Sequence, residues 1–457
     1  MNTLLRALKR NAVELPMSVR EGLLPGRPDG SPHPGSEEAE AGRRMRRGFL
    51  HHLHPLRVTE RALDPTVTLG LGIATLTLAV LLVMTGVLLM VYYVPTTAEA
   101  YGSMQDLQYA ISLGGFIRAL HRWTAHGMVA TVALHVVRVL AMGAHRGRAL
   151  NWLFGLVLLA VTLGLAFTGY LLPWDQLSYW AVNVAASMLD HVPWIGLWLK
   201  RLALGGDAVG QPTLTRFYTL HVALLPGLLL VAAALHLWRV RKDGGLAGPG
   251  AQTTVPAWPH LVQREVALAL AVTAAFCAAS LIFAAPLGAP PDLHTPSNPE
   301  KAPWYFLGAQ EMVSYSATMG GFVFPLILLL GLALLPFFDR EDEGVGCWLG
   351  APATRNAVLV TLGAAVLAFA LLEPLYLHAA PPASALGRDL LNPAAGMLLV
   401  SAIAFVLGGA STGSTRAAFL CAFAVLIVAM VGFTAMGLCR GPNWVFYWPW
   451  EAWPHGY

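Results

Sequence analysis

Long apolar segments recur along this chain of 457 residues, and they limit its possible folds more than any other feature. A helix needs about 20 mainly apolar residues to cross the hydrocarbon core of a bilayer. Nine runs approach or exceed this length, at about 66–93, 116–143, 152–172, 216–240, 265–285, 317–338, 356–377, 394–410 and 416–437. The eighth run is short and rich in glycine, so eight spans remain an alternative count.

The composition and the pattern of these runs indicate the fold class. Hydrophobic residues make up 56% of the chain and charged residues 12%, whereas soluble domains contain about 25% charged residues. The runs are continuous and contain scattered Gly and Pro, unlike the alternating segments of a membrane β-barrel. The sequence therefore predicts an all-α, polytopic bundle of membrane helices.

The first 64 residues differ in kind, with eleven Lys or Arg and the stretch "LLPGRPDGSPHPGSEEAEAG". Such a segment buries too little apolar surface to fold alone, so we expect a partly disordered tail, with a surface helix near "MNTLLRALKRNAVEL" as an option. It lacks the pattern of a signal peptide. The connections after the second and fourth runs are basic and the one after the first has no Lys or Arg, which predicts a cytoplasmic N-terminus in a bacterial inner membrane.

Two of the apolar runs carry histidines at matching spacings. His121 and His135 are 14 residues apart in the second run, and His221 and His236 are 15 apart in the fourth. At about 100° per residue, each pair lies within roughly 40° to 60° of one helix face, with about 21 to 22 Å of axial rise between its members. Both runs cross in the same direction, so His121 can face His221 near the outer side and His135 can face His236 near the inner side.

These four histidines favour a metal-bound cofactor over a structural role. A lone intramembrane histidine can simply hydrogen-bond a neighbouring helix, but four in register point to two imidazoles for one metal at each level. Carboxylates that would suit zinc or a proton relay are missing from these runs, and an apolar cleft with two imidazoles suits an iron porphyrin. His126 lies roughly 140° around the helix from His121 and is predicted to be a non-ligand, with a contact to the pocket as an option. Covalent c-type haem and iron–sulfur ligation are not indicated, because none of the four cysteines forms a CxxC motif.

Glycines and arginines fit the same interpretation. Two glycine pairs share the histidine spacing of 14 residues and would let a flat macrocycle approach the backbone, although small residues also serve helix packing; they are Gly72 with Gly86 and Gly155 with Gly169. Arg118 and Arg138 lie near the two ends of the second run, where haem propionates would meet water. Their alternative role is snorkelling to the interface, which applies equally to Arg122.

Three segments carry a family resemblance: "GGFIRALHRWTAHGMVATVALHVVRV", "TGYLLPWDQLSYWAVNV" and "GQPTLTRFYTLHVALLPGLLLVAAALHLWRVRKDG". They resemble the cytochrome b subunit of the cytochrome bc family, most closely the version in the plastoquinol-oxidising complex of photosynthetic membranes and its bacterial relatives. The resemblance covers about residues 60–340. Residues 295–306, "TPSNPEKAPWYF", resemble the family's quinol-site loop, here fused to the haem-bearing part.

The resemblance implies the core of a quinol:cytochrome c oxidoreductase. His121 and His221 would bind the outer b-type haem, and His135 and His236 the inner one. Quinol would be oxidised between the end of the third run and the quinol-site loop, by a pocket comprising Tyr170, Pro173, Trp174, Trp304 and Tyr305. One electron would pass to a Rieske iron–sulfur protein and a c-type cytochrome, and the other across the two haems to a quinone near the inner face, building a proton gradient. A homodimeric complex is a further family expectation.

The sequence departs from the family pattern at two places. A glutamate normally precedes the Trp-Tyr pair of the loop, and here Pro303 does. Glu311, two helical turns after Trp304, is the predicted proton acceptor in its place, with Glu300 as the other candidate and a solvated acid as the alternative role of Glu311. The photosynthetic version tethers a third haem through a cysteine in the first span. Gly70 stands at that position, so we expect two haems and no covalent one.

These features divide the chain into five predicted parts. They are the tail at 1–64, a four-helix di-haem core at 65–243, a cytoplasmic linker at 244–264, quinol-site helices and loop at 265–345, and C-terminal membrane helices with an aromatic tail at 346–457. Residues 339–344, "DREDEG", are predicted to form a solvated inner loop. Neither Cys439 nor the segment "CRGPNW" that it begins is given a role.

Two other classes of function remain open at this stage. A di-haem membrane anchor of a dehydrogenase or hydrogenase would also hold histidine pairs, usually in a smaller bundle and without the "PWDQ" and "PWYF" loops. A transporter would show interrupted helices and internal repeats, and no repeat relates the two halves of this sequence.

Overall fold

The fold is seen in a computed structural model that describes residues 57–245, 253–339, 341–378 and 384–451. The described residues are mainly helical, with one small two-stranded sheet. The predicted surface helix and most of the predicted tail lie outside the described residues.

The prediction of nine membrane helices is confirmed for the described part of the chain. Nine helices there are long and apolar enough to span a bilayer, and the short eighth run is one of them. They are α1 (Leu71–Met90), α2 (Gly114–Ala141), α3 (Ala149–Leu171), α6 (Gln211–Lys242), α7 (Ala257–Ile282), α9 (Met319–Phe338), α10 (Pro352–His378), α11 (Pro393–Thr412) and α12 (Thr415–Leu438).

Shorter elements connect these spans. Two helices follow α3, one follows α7, and short helical segments occur elsewhere. The three longer ones are α4 (Gln176–Leu189), α5 (Gly196–Leu204) and α8 (Trp304–Tyr315), and the shorter ones are Pro65–Thr68, Ala100–Gln105 and Ala385–Leu390.

The spans form two groups. Helix α1 packs against α2, and α3 packs against α6, so that these four helices form the predicted four-helix core, while α7 covers α1 and α2. The second group surrounds α12, which contacts α8, α10 and α11. Helix α12 is the most buried of these nine spans because three helices surround it, and Cys421, Ala429 and Phe433 are fully buried.

A small antiparallel sheet corrects two predicted boundaries. Strand β1 (Arg57–Thr59) pairs with β2 (Thr254–Pro256), with Val58 opposite Val255. The end of the predicted tail and part of the predicted linker are therefore ordered, and α7 begins at Ala257, before the predicted start at 265. The two strands are about 200 residues apart in sequence, so no local pattern shows their pairing.

The prediction of a solvated loop at 339–344 is wrong for Asp339. This carboxylate is 0% exposed and lies 2.8 Å from His145 Nε2 and 2.9 Å from Arg416 Nε. Glu341 accepts hydrogen bonds from the first residues of α12, including Thr415 Oγ1 at 2.9 Å. The loop is therefore fixed to α12 by charged contacts whose partners are distant in sequence.

Candidate haem and quinol sites

The four predicted histidines form two facing pairs between α2 and α6. The ring centres of His121 and His221 are 6.1 Å apart, with their planes at 72°. Those of His135 and His236 are 6.4 Å apart, with planes at 77°. The helix register therefore places one pair at each of two levels, as the spacing predicted.

A π-helical turn explains how a spacing of 15 in α6 matches a spacing of 14 in α2. Residues Leu220–Leu224 form this turn, and His221 lies in it. A π turn accommodates one extra residue, so His221 and His236 return to the same face. Pro226 favours the irregularity because it has no N–H to donate to the carbonyl of Val222.

Hydrogen bonds at Nδ1 orient three of the four rings. The Leu165 carbonyl accepts from His221 Nδ1 at 3.0 Å, and the Asn151 carbonyl accepts from His236 Nδ1 at 3.2 Å. Thr85 Oγ1 lies 2.9 Å from His121 Nδ1 and donates its own hydrogen to the Leu81 carbonyl, so it accepts from the ring. A protonated Nδ1 leaves Nε2 with a free lone pair, the arrangement that metal-binding histidines use.

Each histidine faces one of the predicted glycines on the neighbouring helix. A Cβ added to Gly86 would lie 3.4 Å from His121 Cε1, and one added to Gly169 would lie 2.4 Å from His221 Cε1. At the inner level, the corresponding distances are 3.9 Å from Gly72 to His135 and 3.6 Å from Gly155 to His236. The glycines therefore lie at the histidine levels, and at Gly169 a Cβ would overlap the histidine ring.

The donor set fits a haem iron at both levels. Metal–imidazole bonds of about 2.0–2.1 Å place the ring centres of two opposed ligands roughly 6 Å apart, which matches both pairs. No cluster of three or more His, Cys, Asp or Glu that would complete a protein-only metal site occurs among the residues described. Two imidazoles alone suit an iron whose other ligands come from a porphyrin.

Buried guanidinium groups lie near both levels. Arg138 donates from Nε to the Val67 carbonyl at 2.9 Å, while its Nη2 is buried without a partner, as a propionate ligand requires. Arg118 instead donates to Gln108 Oε1 and to the carbonyls of Ala285 and Pro286. Arg122, predicted as a possible snorkelling residue, has a buried Nε without a partner and lines a cavity beside the outer histidine pair.

A cavity of about 420 Å³ joins the outer histidine pair to the predicted quinol pocket. Its lining includes His121 and His221 on one side and Tyr170, Pro173 and Tyr305 on the other. Trp174 is buried against Tyr179 and does not line the cavity. Three of the five residues singled out for the pocket thus line one cavity, and Trp174 and Trp304 do not.

The predicted quinol-site loop meets α2 at His126. Trp304 Nε1 donates to His126 Nδ1 at 2.9 Å, and the Tyr305 ring centre lies 5.6 Å from that of His126. His126 lines the cavity, whereas Trp304 does not. The sequence analysis predicted His126 to be a non-ligand and left a contact with the pocket open, but no sequence pattern indicated its hydrogen bond to Trp304.

The "PWDQ" segment holds the loop that leads from α7. Asp175 caps α4 through Ser178 and accepts a hydrogen bond from the Gly288 amide at 2.9 Å. Gln176 N donates to the Ala289 carbonyl, and Trp180 Nε1 donates to the Asp292 carbonyl. These contacts form one wall of the cavity from two segments more than 100 residues apart.

Glu311 lies away from the cavity that it was predicted to serve. Its side chain is 0% exposed and does not line the cavity. Both carboxylate oxygens are within 3.1 Å of Arg440 Nε, and Oε2 also accepts from Trp444 Nε1 at 2.9 Å. Arg440 comes from the "CRGPNW" segment, which was assigned no role, so no sequence pattern indicated this ion pair.

Glu300, the other predicted candidate, has a carboxylate oxygen to spare. Oε2 accepts from the Ser297 amide at 3.2 Å, while Oε1 is buried without a hydrogen-bond partner. Burial raises the pKa of Glu300 to about 7, and the charge of Asp175 adds to the increase, against the lowering effect of Ser297. Glu300, like Glu311, does not line the cavity. Unlike Glu311, it is within electrostatic range of Tyr170, which lines the cavity together with Asp175.

The four histidines lie in a segment that matches a known protein family. The family Cytochrome b/b6/petB matches residues 61–244. Cytochrome b6 of Synechococcus elongatus is 44% identical over 180 residues, which are 39% of this chain and 83% of that protein. Cytochrome b6 of Mastigocladus laminosus is 41% identical over 195 residues, 42% of this chain and 90% of the relative.

A solved structure extends the likeness in fold beyond residue 244. It is a "Hyperthermophilic respiratory Complex III", matched over 87% of this chain and 98% of that one with a TM-score of 0.64 and 24% identity. At this identity the likeness shows the fold alone. Taken with the cytochrome b6 relatives, whose length the chain largely covers, the histidine pairs and their glycines lead to one conclusion: the chain belongs to the cytochrome b family of the bc and b6f complexes.

Proposed function

We propose that this chain is the di-haem cytochrome b core of a quinol:cytochrome c oxidoreductase. Quinol is oxidised near the outer face, its two electrons part there, and quinone is reduced near the inner face. The single observation that carries the proposal is the cavity shared by His121, His221, Tyr170 and Tyr305. A site that binds quinol beside a haem ligand pair is the minimum requirement for this reaction.

The two histidine pairs are the proposed haem ligands, His121 with His221 and His135 with His236. When bound, the two haems supply a one-electron path between the two faces of the membrane. The protein holds the imidazole planes by Nδ1 hydrogen bonds to Thr85, Leu165 and Asn151. Arg138 offers a buried, unpaired N–H for an inner propionate, and Arg122 offers one at the outer level.

Two haems without a covalent one remain the proposal. Gly70 has a φ of 61°, and a Cβ there would lie 2.3 Å from Leu268 Cδ2. A cysteine side chain at this position would therefore meet α7 before it reached a third haem. The close packing of α7 at Gly70 supports the proposed absence of a tether.

Glu300 is the proposed proton acceptor for quinol oxidation, in preference to Glu311. An acceptor needs a free carboxylate oxygen and a pKa near the working pH, and Glu300 has both. Burial raises the pKa of Tyr305 to about 12, so this phenol stays protonated and can donate a hydrogen bond to a quinol oxygen. Tyr170 lines the opposite wall, and Trp304 holds the loop by its bond to His126.

The proposed partners and location follow from the family. A Rieske iron–sulfur protein and a c-type cytochrome take one electron of each quinol, and the complex is a homodimer in a bacterial inner membrane with the N-terminus in the cytoplasm. The basic loops after α2 and α6 support this orientation. The long exposed rows of Leu and Val on α1, α10 and α11 suit contact with lipid.

A reduced-minus-oxidised spectrum of the purified complex, with its subunits identified, tests the proposal. We expect two b-type haem bands, a Rieske protein among the subunits and electron transfer from quinol to a c-type cytochrome. A colourless preparation, or one haem per chain, would contradict it. A soluble dehydrogenase or hydrogenase as the co-purifying subunit would instead identify the chain as a di-haem membrane anchor.

A further inference from the structure

The chain turns back on itself after α12 and reaches the quinol-site loop. Residues 439–444 form this C-terminal clasp, which includes the 3-10 turn Pro442–Trp444. Gly441 N donates to the Val445 carbonyl at 2.8 Å, and Tyr447 N donates to the Cys439 carbonyl at 2.9 Å. These two bonds fold residues 439–447 into a compact hairpin at the end of the helix.

The clasp binds the quinol-site loop on both sides of Glu300. Asn298 and Asn443 exchange two hydrogen bonds: Asn298 Nδ2 donates to Asn443 Oδ1 at 2.7 Å, and Asn443 N donates to Asn298 Oδ1 at 2.6 Å. Lys301 Nζ donates to the carbonyl of Leu438, the last residue of α12, at 2.8 Å. Glu300 lies between these two attached residues, so its position depends on them.

The clasp also binds the helix that follows the loop. Arg440 and Trp444 both donate to the buried carboxylate of Glu311 in α8, and Arg440 donates to the Tyr315 hydroxyl at 3.0 Å. Removal of either partner of a buried ion pair strongly destabilises the fold, because the remaining charge is left buried without compensation. Close packing adds to it, because a Cβ on Gly308 would lie 2.7 Å from Thr434 Oγ1. Two residues of the clasp, Arg440 and Trp444, thus hold α8, the helix that begins with Trp304 and Tyr305.

The backbone of the clasp is itself constrained. Asn443 has a φ of 56° and Trp444 a φ of 59°. Asparagine tolerates the left-handed region, but tryptophan is rare there, and such a conformation persists only where side-chain contacts determine it. The bonds of Asn443 to Asn298 and of Trp444 to Glu311 are those contacts.

We infer that the C-terminal clasp is a positioning element for quinol oxidation. It fixes the loop between Asn298 and Lys301, and with it the Glu300 carboxylate, relative to the cavity. Residues 439–444 do not touch the cavity, so they act through Glu300, Trp304 and Tyr305. This inference rests on the proposed function, because it names what holds the proposed proton acceptor in place.

The test uses the complete complex in membranes with the variants Asn443→Gly, Asn298→Ala and their combination. Glycine tolerates the φ of Asn443, so Asn443→Gly removes the side-chain bond and keeps the turn. A misplaced catalytic group can cost about 10²-fold in rate, and we expect kcat/KM for quinol to fall by about 10-fold in each single variant. The double variant should fall no further than Asn298→Ala, because Asn298→Ala already removes both bonds between the two residues, whereas Asn443→Gly keeps the bond from the backbone N of residue 443. The pH midpoint of the rate should also move, since the surroundings of Glu300 change.

A control at the start of α12, the helix that precedes the clasp, separates an effect on positioning from an effect on stability. Ser414 caps α12 by accepting from the Ala417 amide at 3.0 Å, and Ser414→Ala should lower the thermal midpoint without changing the pH midpoint of quinol oxidation. Unchanged kcat/KM and pH midpoint in both asparagine variants would overturn the inference, as would a loss of activity that only follows a loss of haem. Wild-type complex that fails to oxidise quinol would instead overturn the proposed function.

Discussion

The imidazole of His121 lies 6.1 Å from that of His221, centre to centre, across the gap between α2 and α6. Two metal–nitrogen bonds of about 2.0–2.1 Å each, together with the distance from each nitrogen to its ring centre, give a separation of roughly 6 Å. Hydrogen bonds from Nδ1 of each ring, to Thr85 Oγ1 and to the Leu165 carbonyl, hold the two imidazoles in place. These bonds would orient both rings for the proposed haem iron, as is usual for histidine ligands.

Replacement of one ligand in each pair should remove one haem and leave the other. We expect His121→Leu and His221→Leu to lose the same b-type band, and His135→Leu to lose the second band, because each haem needs both of its imidazoles. His126→Leu is the control, since it removes a histidine of α2 that faces no other histidine. Difference spectra of purified variants measure this; retention of both bands in His121→Leu would contradict the assignment.

Glycine replacements should differ in effect according to the space at each ring. A Cβ at Gly169 would lie 2.4 Å from His221 Cε1, while one at Gly72 would lie 3.9 Å from His135 Cε1. Overpacking of a tight site costs about 1–3 kcal/mol, so Gly169→Ala should weaken retention of the outer haem and Gly72→Ala should change the inner haem little. Haem content after mild detergent or heat treatment compares the two. Equal losses in both variants would show that the distances do not decide the outcome.

Quinol oxidation should depend on pH through Glu300. Burial raises the pKa of this carboxyl to about 7, and only the ionised form can accept a proton. The rate should therefore rise between about pH 6 and pH 8 and level off above the pKa. Glu300→Gln should lower the rate by roughly 10²-fold and flatten the profile, with haem spectra unchanged. Steady-state rates against pH measure both effects, and a wild-type rate in Glu300→Gln would exclude this role.

The spans and the histidine pairs could be predicted because their signals are local. A run of about 20 apolar residues defines a membrane helix without knowledge of its neighbours, and a spacing of 14 residues defines one helix face. The match between α2 and α6 was stronger than the spacing alone indicated. The π turn at His221 absorbs the extra residue of the fourth run, and only Pro226 hints at it in the sequence.

The contacts that determine the roles of single carboxylates could not be predicted. Glu311 and Glu300 are both acids near the "PWYF" segment, and the position of Glu311 two helical turns after Trp304 favoured Glu311. Arg440, 129 residues after Glu311, binds one of them and leaves the other with a buried, unpaired oxygen. Asp339 was assigned to a solvated loop for the same reason, since neither His145 nor Arg416 is near it in the chain.

The buried ion pair at Asp339 gives a prediction about stability. Burial alone would raise the pKa of this carboxyl, but hydrogen bonds and charge from His145 and Arg416 outweigh it and lower the pKa to about 2. Asp339→Asn leaves the Arg416 charge buried without its partner, which should cost about 3–5 kcal/mol. Because the folded-state pKa is below the unfolded value of about 3.9, the stabilising effect is complete above that value and is lost as the pH falls towards 2.

Asp342→Asn is the matched control in the same loop. Asp342 pairs with Arg146 at 3.1 Å, but its side chain is 85% exposed, and an exposed pair contributes at most about 1 kcal/mol. Thermal unfolding of the purified complex between about pH 3 and pH 7 should therefore show a large loss for Asp339→Asn and almost none for Asp342→Asn. The difference should shrink below about pH 3.9, because the carboxyl of residue 339 then takes up a proton in the unfolded state while it stays ionised in the folded protein. Equal thermal midpoints for the two variants at pH 7 would mean that the buried contacts of Asp339 do not hold the loop to α12.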